Sequence, residues 1–172
     1  FSKSGIPLYS SLLWDEGLGT IFGMATDGCG NAYFVSGTEG TPPMITSDAL
    51  FTSNQGKADV FIMKLAPTCD RITYATCFGG PNAEVGSSIA VDAEGNIFFA
   101  GTSSSNVGAH YRYPLVHAFQ DSIKGDVDIF LTKLTADGHS IVFSTWIGGS
   151  EWDTPQGGLS IDDDGNVYLA GI

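Results

Sequence analysis

Three histidines are the first residues whose side chains could do acid–base or metal chemistry. His110, His117 and His139 each carry an imidazole, which can accept a proton near neutral pH or bind zinc. The helical zinc motif places two histidines one turn apart with a glutamate between them, and no pair here has that spacing. The pattern therefore favours histidines in surface loops.

An acidic run at residues 162–166 offers a second kind of chemistry, because clustered carboxylate oxygens suit a hard cation such as Ca²⁺. The run holds Asp162, Asp163, Asp164 and Asn166 but lacks a distal bidentate glutamate. An aspartate that caps the backbone N–H groups of a tight turn explains the same residues without a metal. We expect a structural turn and no metal site.

Nucleophilic catalysis finds no support in the sequence. Serine and threonine are frequent, but neither a G-x-S-x-G nor an S-x-x-K motif occurs. The Gly-Gly pairs at 79–80 and 148–149 are followed by neither a lysine nor a helical pattern, which argues against a phosphate-binding loop. We expect no enzymatic activity and no cofactor.

The cysteines leave two alternatives open. Cys29, Cys69 and Cys77 are odd in number and lack C-x-x-C spacing, which argues against a zinc site. One internal disulfide with a leftover thiol, or a bridge to another chain segment, is compatible with this count. Seven residues separate Cys69 from Cys77 across a predicted hairpin, and this spacing does not decide the pairing.

Charge and composition exclude several classes of function. The 172-residue chain has 19 acidic and 7 basic residues, and its net charge of −12 repels nucleic-acid phosphates and anionic membranes. Its apolar runs, such as 97–100, are too short to span a bilayer. The chain begins with Phe1 and has no signal-like segment, which indicates a processed or truncated start.

The elements that position these residues repeat along the chain. Asn31, Asn96 and Asn166 lie 65 and 70 residues apart, each in a turn that begins with aspartate and is followed by an alternating apolar strand. The predicted structural turns are Asp27, Gly30 and Asn31; Asp92, Gly95 and Asn96; and Asp162, Gly165 and Asn166. The aspartate is expected to cap the turn and the glycine to take a left-handed conformation.

A second block repeats between these turns, at residues 58–80 and 127–149, with an offset of 69. The second unit predicts four strands, at 86–92, 96–102, 128–134 and 140–148. Four antiparallel strands that recur every 65–70 residues are typical of propeller blades.

The units resemble the SBBP β-propeller repeat. The segments that carry the resemblance are VDAEGNIFFAGT at 91–102, DIFLTKL at 128–134 and FSTWIGG at 143–149. The first unit departs from the pattern by placing Cys29 and Cys77 where the second has Glu94 and Trp146. The resemblance implies propeller architecture, a secreted or surface location and no known catalytic set.

The predicted fold class is therefore all-β, a β-propeller-type array of four-stranded antiparallel blades that is incomplete at both ends. Residues 1–16 are predicted to supply the last strand of a preceding blade, with PLYSSLLW at 7–14, and residues 153–172 the first two strands of a third blade. The complete blades are expected at 17–82 and 83–152, which gives 11 strands in all. Open edge strands can pair with a neighbour, so we expect partners to be further blades of a longer chain or other copies of the protein.

The function expected from these features is that of a non-enzymatic structural or adhesive module of a secreted or surface protein. Blade completion between copies would build an extracellular fibre. The alternative is a propeller that recognises a glycan or a protein through its long loops at 39–57 and 103–126. The candidate ligand-binding residues are His110, Tyr111, Arg112 and Tyr113.

A structural role competes with ligand binding in the same loops. Tyr113, Pro114, Leu115 and Phe119 could instead seal the second blade. Pro43, Met44 and Phe51 would do so in the first. We favour sealing for the stretches that run from proline to phenylalanine and leave 110–112 open.

Overall fold

The structure is a computed structural model that describes residues 4–6, 18–104 and 113–172. These ranges contain β-strands and no helix, which confirms the all-β prediction. The strands are β1 (Leu18–Thr26), β2 (Ala32–Thr38), β3 (Asp59–Leu65), β4 (Ile72–Phe78), β5 (Glu84–Val91), β6 (Ile97–Ser103), β7 (Asp128–Leu134), β8 (Ile141–Ile147), β9 (Pro155–Ile161) and β10 (Val167–Gly171). The strand predicted at 7–14 lies outside the described residues. No helix capable of crossing a membrane occurs in the described ranges.

The strands form three antiparallel sheets in chain order. Sheet 1 contains β1 to β4, sheet 2 contains β5 to β8, and sheet 3 contains β9 and β10. Sheets 1 and 2 share their register: Lys64 pairs with Tyr74 and Lys133 with Phe143, and each lysine is followed by the same irregularity. The predicted four-stranded antiparallel blades are therefore confirmed, and the described strands form no closed barrel.

The main core lies between sheets 1 and 2. The central strands β3 and β7 are apolar along most of their length because both of their faces are covered. Buried side chains from both sheets form this core, namely Tyr33, Val35, Val60, Ile62 and Phe78 from sheet 1 and Ile89, Ile97, Phe99, Phe130, Leu134 and Trp146 from sheet 2. Strand β5 contacts β1, β2 and β3, so the first strand of one blade packs on the preceding blade.

All three cysteines have free thiols, so no disulfide forms among Cys29, Cys69 and Cys77. Cys77 is buried in β4, where its side chain packs with Phe61 and Met63. Burial raises the pKa of its thiol to about 12. Cys69 occupies the turn between β3 and β4, and its φ of 52° lies in the left-handed region. Gly138, at the equivalent position of sheet 2, has a φ of 78°.

Replacing Cys69 with glycine should raise the free energy of unfolding by up to about 1 kcal/mol. A side chain in the left-handed region crowds the backbone, whereas glycine adopts it without that cost. The turn already has the same hydrogen bond as the glycine turn, since the Cys69 N–H donates to Ala66 O just as that of Gly138 donates to Thr135 O. Urea denaturation under reducing conditions measures the change, and a lower midpoint for Cys69→Gly would contradict it.

Candidate functional site

The repeated turns are the most regular polar feature of the protein. In the second copy, Asn96 donates its backbone N–H to Asp92 Oδ1 and its side-chain amide to Oδ2, each at 2.8 Å. The Gly95 N–H donates to Asp92 O at 3.0 Å, and Gly95 has a φ of 86°. The aspartate, glycine and asparagine therefore close one turn, each in the role that its chemistry predicts.

The other two copies repeat this geometry. Asn31 donates to Asp27, and Asn166 to Asp162, through the same backbone and side-chain groups. The glycines Gly30 and Gly165 also have positive φ angles, of 85° and 82°. The turn is thus an element of all three sheets.

The three turns differ in how the second aspartate oxygen is satisfied. The hydroxyl of Tyr33 donates to Asp27 Oδ2, and that of Tyr168 to Asp162 Oδ2, both at 2.9 Å. Phe98 stands at the equivalent position of sheet 2 and has no hydroxyl. There the Lys133 ammonium lies 3.1 Å from the carboxylate and 4.6 Å from the centre of the Phe98 ring. A lysine therefore replaces the missing hydroxyl.

These contacts favour the ionised aspartates. Burial alone would raise the pKa values of Asp27 and Asp92. Hydrogen bonds, first from the asparagine of each turn and then from Tyr33 or Lys133, together hold both pKa values below their usual range. The exposed Asp162 has a lowered pKa chiefly because Asn166 donates to it. The carboxylate oxygens thus accept N–H and O–H groups of the protein.

The acidic run 162–166 accordingly forms a turn in which Asp162 also accepts the N–H of Asp164. The described ranges contain no group of three or more residues that could bind a metal ion. Among the histidines, His139 lies in the β7–β8 turn, 3.4 Å from Asp48 and 3.5 Å from Asp137. His117 is in a loop with a φ of 48°, and His110 lies outside the described residues.

Of the four predicted ligand-binding residues, only Tyr113 belongs to the described part of the chain. Its position excludes the ligand-binding role considered for it. Tyr113 is 2% exposed and stacks on Trp146 with ring centres 5.6 Å apart, so it cannot offer its face to a sugar. Its hydroxyl lies 3.3 Å from the Thr132 hydroxyl. His110, Tyr111 and Arg112 lie outside the described residues.

Only some of the loop residues predicted to seal the blades are packed on a core. Tyr113 and Leu115 pack on the main core, as does Phe51 in the first unit. Phe119 is 89% exposed, so its predicted sealing role is wrong. Pro43 is also exposed, whereas Met44 packs on a smaller core cluster of sheet 1.

Sequence reasoning missed a set of fully buried carboxylates at the blade junctions. Asp59 and Asp128 begin β3 and β7, Glu84 begins β5, and all three are inaccessible to solvent. The repeat at offset 69 relates Asp59 to Asp128, and this equivalence was the available signal. Their burial depends on the packing of separate strands, which the repeat does not reveal.

The first and the last sheet each expose an apolar face. Alternate residues of a strand point to opposite faces, and Gly23 of β1 faces β5. Met24 is therefore on the other side of sheet 1, which we call the leading face. Ile21 lies on this side as well, because the register shifts between Ile21 and Gly23 and pairs Ile21 with Ser36 but Gly23 with Val35. Leu169 of β10 borders a cavity with Ile129 of sheet 2, so Tyr168 and Ala170 lie on the far side of sheet 3, which we call the trailing face.

The fold and its repeated turns define a β-propeller-type array of four-stranded antiparallel blades. Residues 73–108 match the family model SBBP, described as a beta-propeller repeat, which confirms the resemblance found in the sequence. This segment of the chain is therefore similar to an SBBP β-propeller repeat. The matched segment begins in β4 and continues through β5 and β6, so it crosses the junction between sheets 1 and 2. A search of curated proteins found no match to this chain.

Proposed function

We propose that this protein is a non-enzymatic structural module of the cell surface or extracellular space, whose blades stack on blades of a longer chain or of other copies. The observation that carries the proposal is the exposure of side chains whose equivalents are buried between blades. Met24 is 63% exposed. Ile89, at the same position of sheet 2, packs against sheet 1 and is only 6% exposed.

The trailing face also exposes a side chain whose equivalents are buried. Tyr168 is 58% exposed, and its equivalents Tyr33 and Phe98 are 0% and 1% exposed. In sheets 1 and 2 this position is covered in part by a lysine from the third strand, since Lys64 lies 5.0 Å above the Tyr33 ring. The two exposed faces are on opposite sides of the array, which favours head-to-tail stacking of a leading face on a trailing face.

The partner that these faces fit is another blade of the same kind. The contact of β5 with sheet 1 is a blade-to-blade interface within the chain, and the leading face presents the equivalent strand β1. Head-to-tail contacts can be repeated without limit, so they generate a ring or a filament. Net charge of −12 makes copies repel one another, and added salt should therefore strengthen the association.

Sedimentation velocity over a range of protein concentrations tests the proposal. We expect the average mass of the purified chain to rise with concentration, and Met24→Lys to remain monomeric because a buried ammonium would have no partner in the interface. Phe119→Lys is the matched control, because it changes an exposed apolar residue outside both faces and should associate like the unmodified chain.

A folded chain that remains monomeric at high concentration and high salt would contradict stacking between copies. Equal association of Met24→Lys and the unmodified chain would show that copies do not meet through the leading face.

A further inference from the structure

All of the sulfur-containing side chains of the protein belong to its first blade. The six residues are Met24, Cys29, Met44, Met63, Cys69 and Cys77. Sheets 2 and 3 therefore contain neither of the two side chains, cysteine and methionine, that mild oxidants attack most readily. Chemistry at sulfur can change the face that sheet 1 presents, whereas the trailing face of sheet 3 cannot respond to it.

The methionines are gathered on one side of sheet 1. Met24 of β1 pairs with Phe34 of β2, and Phe34 pairs with Met63 of β3. Directly opposite residues of an antiparallel pair point to the same face. Met24 and Met63 therefore both lie on the leading face, one on each side of Phe34. Met44, from the loop after β2, packs on the same small core cluster that contains Met63.

Solvent reaches the three thioethers unequally. Met24 is exposed, Met44 is half-buried and Met63 is buried. A dissolved oxidant has to touch the sulfur atom before it can react, so exposure decides the order of reaction. Met24 should therefore be oxidised first.

The equivalent row of sheet 2 shows the surroundings that Met24 would enter on stacking. There Ile89 pairs with Phe99, and Phe99 pairs with Thr132, so this row contains no sulfur. Ile89 and Phe99 are part of the main core between sheets 1 and 2. A leading face that stacks in the same way takes the Met24 side chain out of water and into an apolar contact.

We propose that Met24 is a redox-sensitive modification site, whose oxidation to methionine sulfoxide by hydrogen peroxide prevents the leading face from stacking on a trailing face. This inference rests on the proposed function, because it assigns a regulation to the same interface. The peroxide transfers one oxygen atom to the sulfur, which is oxidised by two electrons, and the other oxygen atom leaves as water. The product has a polar S=O group that accepts hydrogen bonds from water, and an apolar interface removes them.

The loss of hydration determines the size of the effect. We expect oxidation of Met24 to raise the dissociation constant for stacking about tenfold or more, as for other polar groups buried without a partner. The sulfoxide has no net charge, so the difference between the oxidised and reduced forms should persist at high salt.

Peptide mass mapping tests the site itself. Dilute protein is treated briefly with hydrogen peroxide and then with dithiothreitol, which reverses sulfenic acids and disulfides of the cysteines but leaves methionine sulfoxide. We expect the peptide that contains Met24 to gain one oxygen atom well before the peptide that contains Met63. Equal rates at the two residues would overturn the proposal.

Oxidation of one partner at a time tests the effect on stacking. Met24→Lys keeps only its trailing face and Tyr168→Lys only its leading face, so their mixture should form a dimer through one pair of faces. Peroxide and dithiothreitol treatment of Tyr168→Lys should prevent this dimer in sedimentation velocity. The same treatment of Met24→Lys should leave the dimer intact, although this partner has the same cysteines and the same Met44 and Met63.

Leucine at position 24 gives the matched control, because it is apolar, similar in volume to methionine and free of sulfur. Tyr168→Lys that also carries Met24→Leu should dimerise with Met24→Lys both before and after peroxide treatment. Loss of its dimer on oxidation would assign the effect to another residue and overturn the proposal. Methionine sulfoxide reductases for both epimers should restore the dimer of oxidised Tyr168→Lys.

The failure of this inference is distinguishable from the failure of stacking. An untreated mixture that remained monomeric would contradict stacking between copies and overturn this inference with it. If the untreated mixture dimerised, and the treated mixture dimerised equally well while mass mapping showed Met24 fully oxidised, the redox assignment would be wrong and the stacking would stand.

Discussion

Trp146→Ala is expected to lower the free energy of unfolding by about 3–5 kcal/mol, which is the usual cost of truncating a large buried aromatic residue. Trp146 is 2% exposed and stacks on Tyr113, which in turn contacts Phe78 of sheet 1 with ring centres 5.6 Å apart. The truncation would therefore open a cavity in the interface between two blades. Urea denaturation followed by circular dichroism measures the loss.

Two variants make this measurement specific. Trp152 is 68% exposed, so Trp152→Ala should change stability little. Trp146→Phe should cost much less than alanine, because Nε1 of Trp146 has no hydrogen-bond partner within the described ranges and its removal leaves no acceptor unpaired. A loss of similar size in Trp152→Ala and Trp146→Ala would contradict a core centred on Trp146.

Asp92→Ala is expected to cost about 2–4 kcal/mol. The substitution removes two acceptors of Asn96 and the ion partner of Lys133, whose ammonium lies only 3.1 Å from the carboxylate. Hydrogen bonds that involve a charged group contribute about 1.5–3 kcal/mol each, and a partly buried Lys133 left without its partner adds to the cost. Thermal and urea unfolding of the two proteins at neutral pH give the difference.

Asp162→Ala is the matched control for this prediction. It removes an equivalent turn in sheet 3, where the carboxylate is exposed to solvent and no lysine pairs with it in the described structure, so its cost should be smaller. Because the pKa of Asp92 is lowered, its contribution is present above the ordinary aspartate pKa and declines as pH falls below about 4. An effect of Asp92→Ala that did not shrink in acid would contradict the assigned hydrogen bonds.

The strands and turns could be predicted because their information is local. Asp92, Gly95 and Asn96 lie within five consecutive residues, and each has a known preference in a tight turn. The offset of 69 between the two blocks then located β3 and β4 once β7 and β8 had been recognised. All four predicted strands of the second unit agree with β5 to β8 to within two residues at each end.

The position of Tyr113 could not be predicted in this way. It belongs to a long loop without hydrophobic periodicity, in which a tyrosine is compatible with both an exposed and a buried role. Its burial is decided by Phe78 and Trp146, which come from different sheets. Phe119, from the same loop, is exposed although its apolar side chain suggested the reverse.

The burial of the Asp59 and Glu84 carboxyl groups could not be predicted from the sequence, for a similar reason. Asp59 and Glu84 belong to different sheets, and only the packing of β5 on sheet 1 removes both from water. Local patterns predicted the blades, whereas contacts between blades determine which loop and polar side chains are buried.

Mixing two blocked variants tests head-to-tail stacking most directly. Met24→Lys blocks the leading face and Tyr168→Lys the trailing face, where the new lysine can pair with Asp162 as Lys133 pairs with Asp92. Each variant alone should sediment as a monomer. Their equimolar mixture should form a dimer and nothing larger, because one intact leading face meets one intact trailing face. A mixture that remained monomeric, or a single variant that assembled like the unmodified chain, would contradict the account.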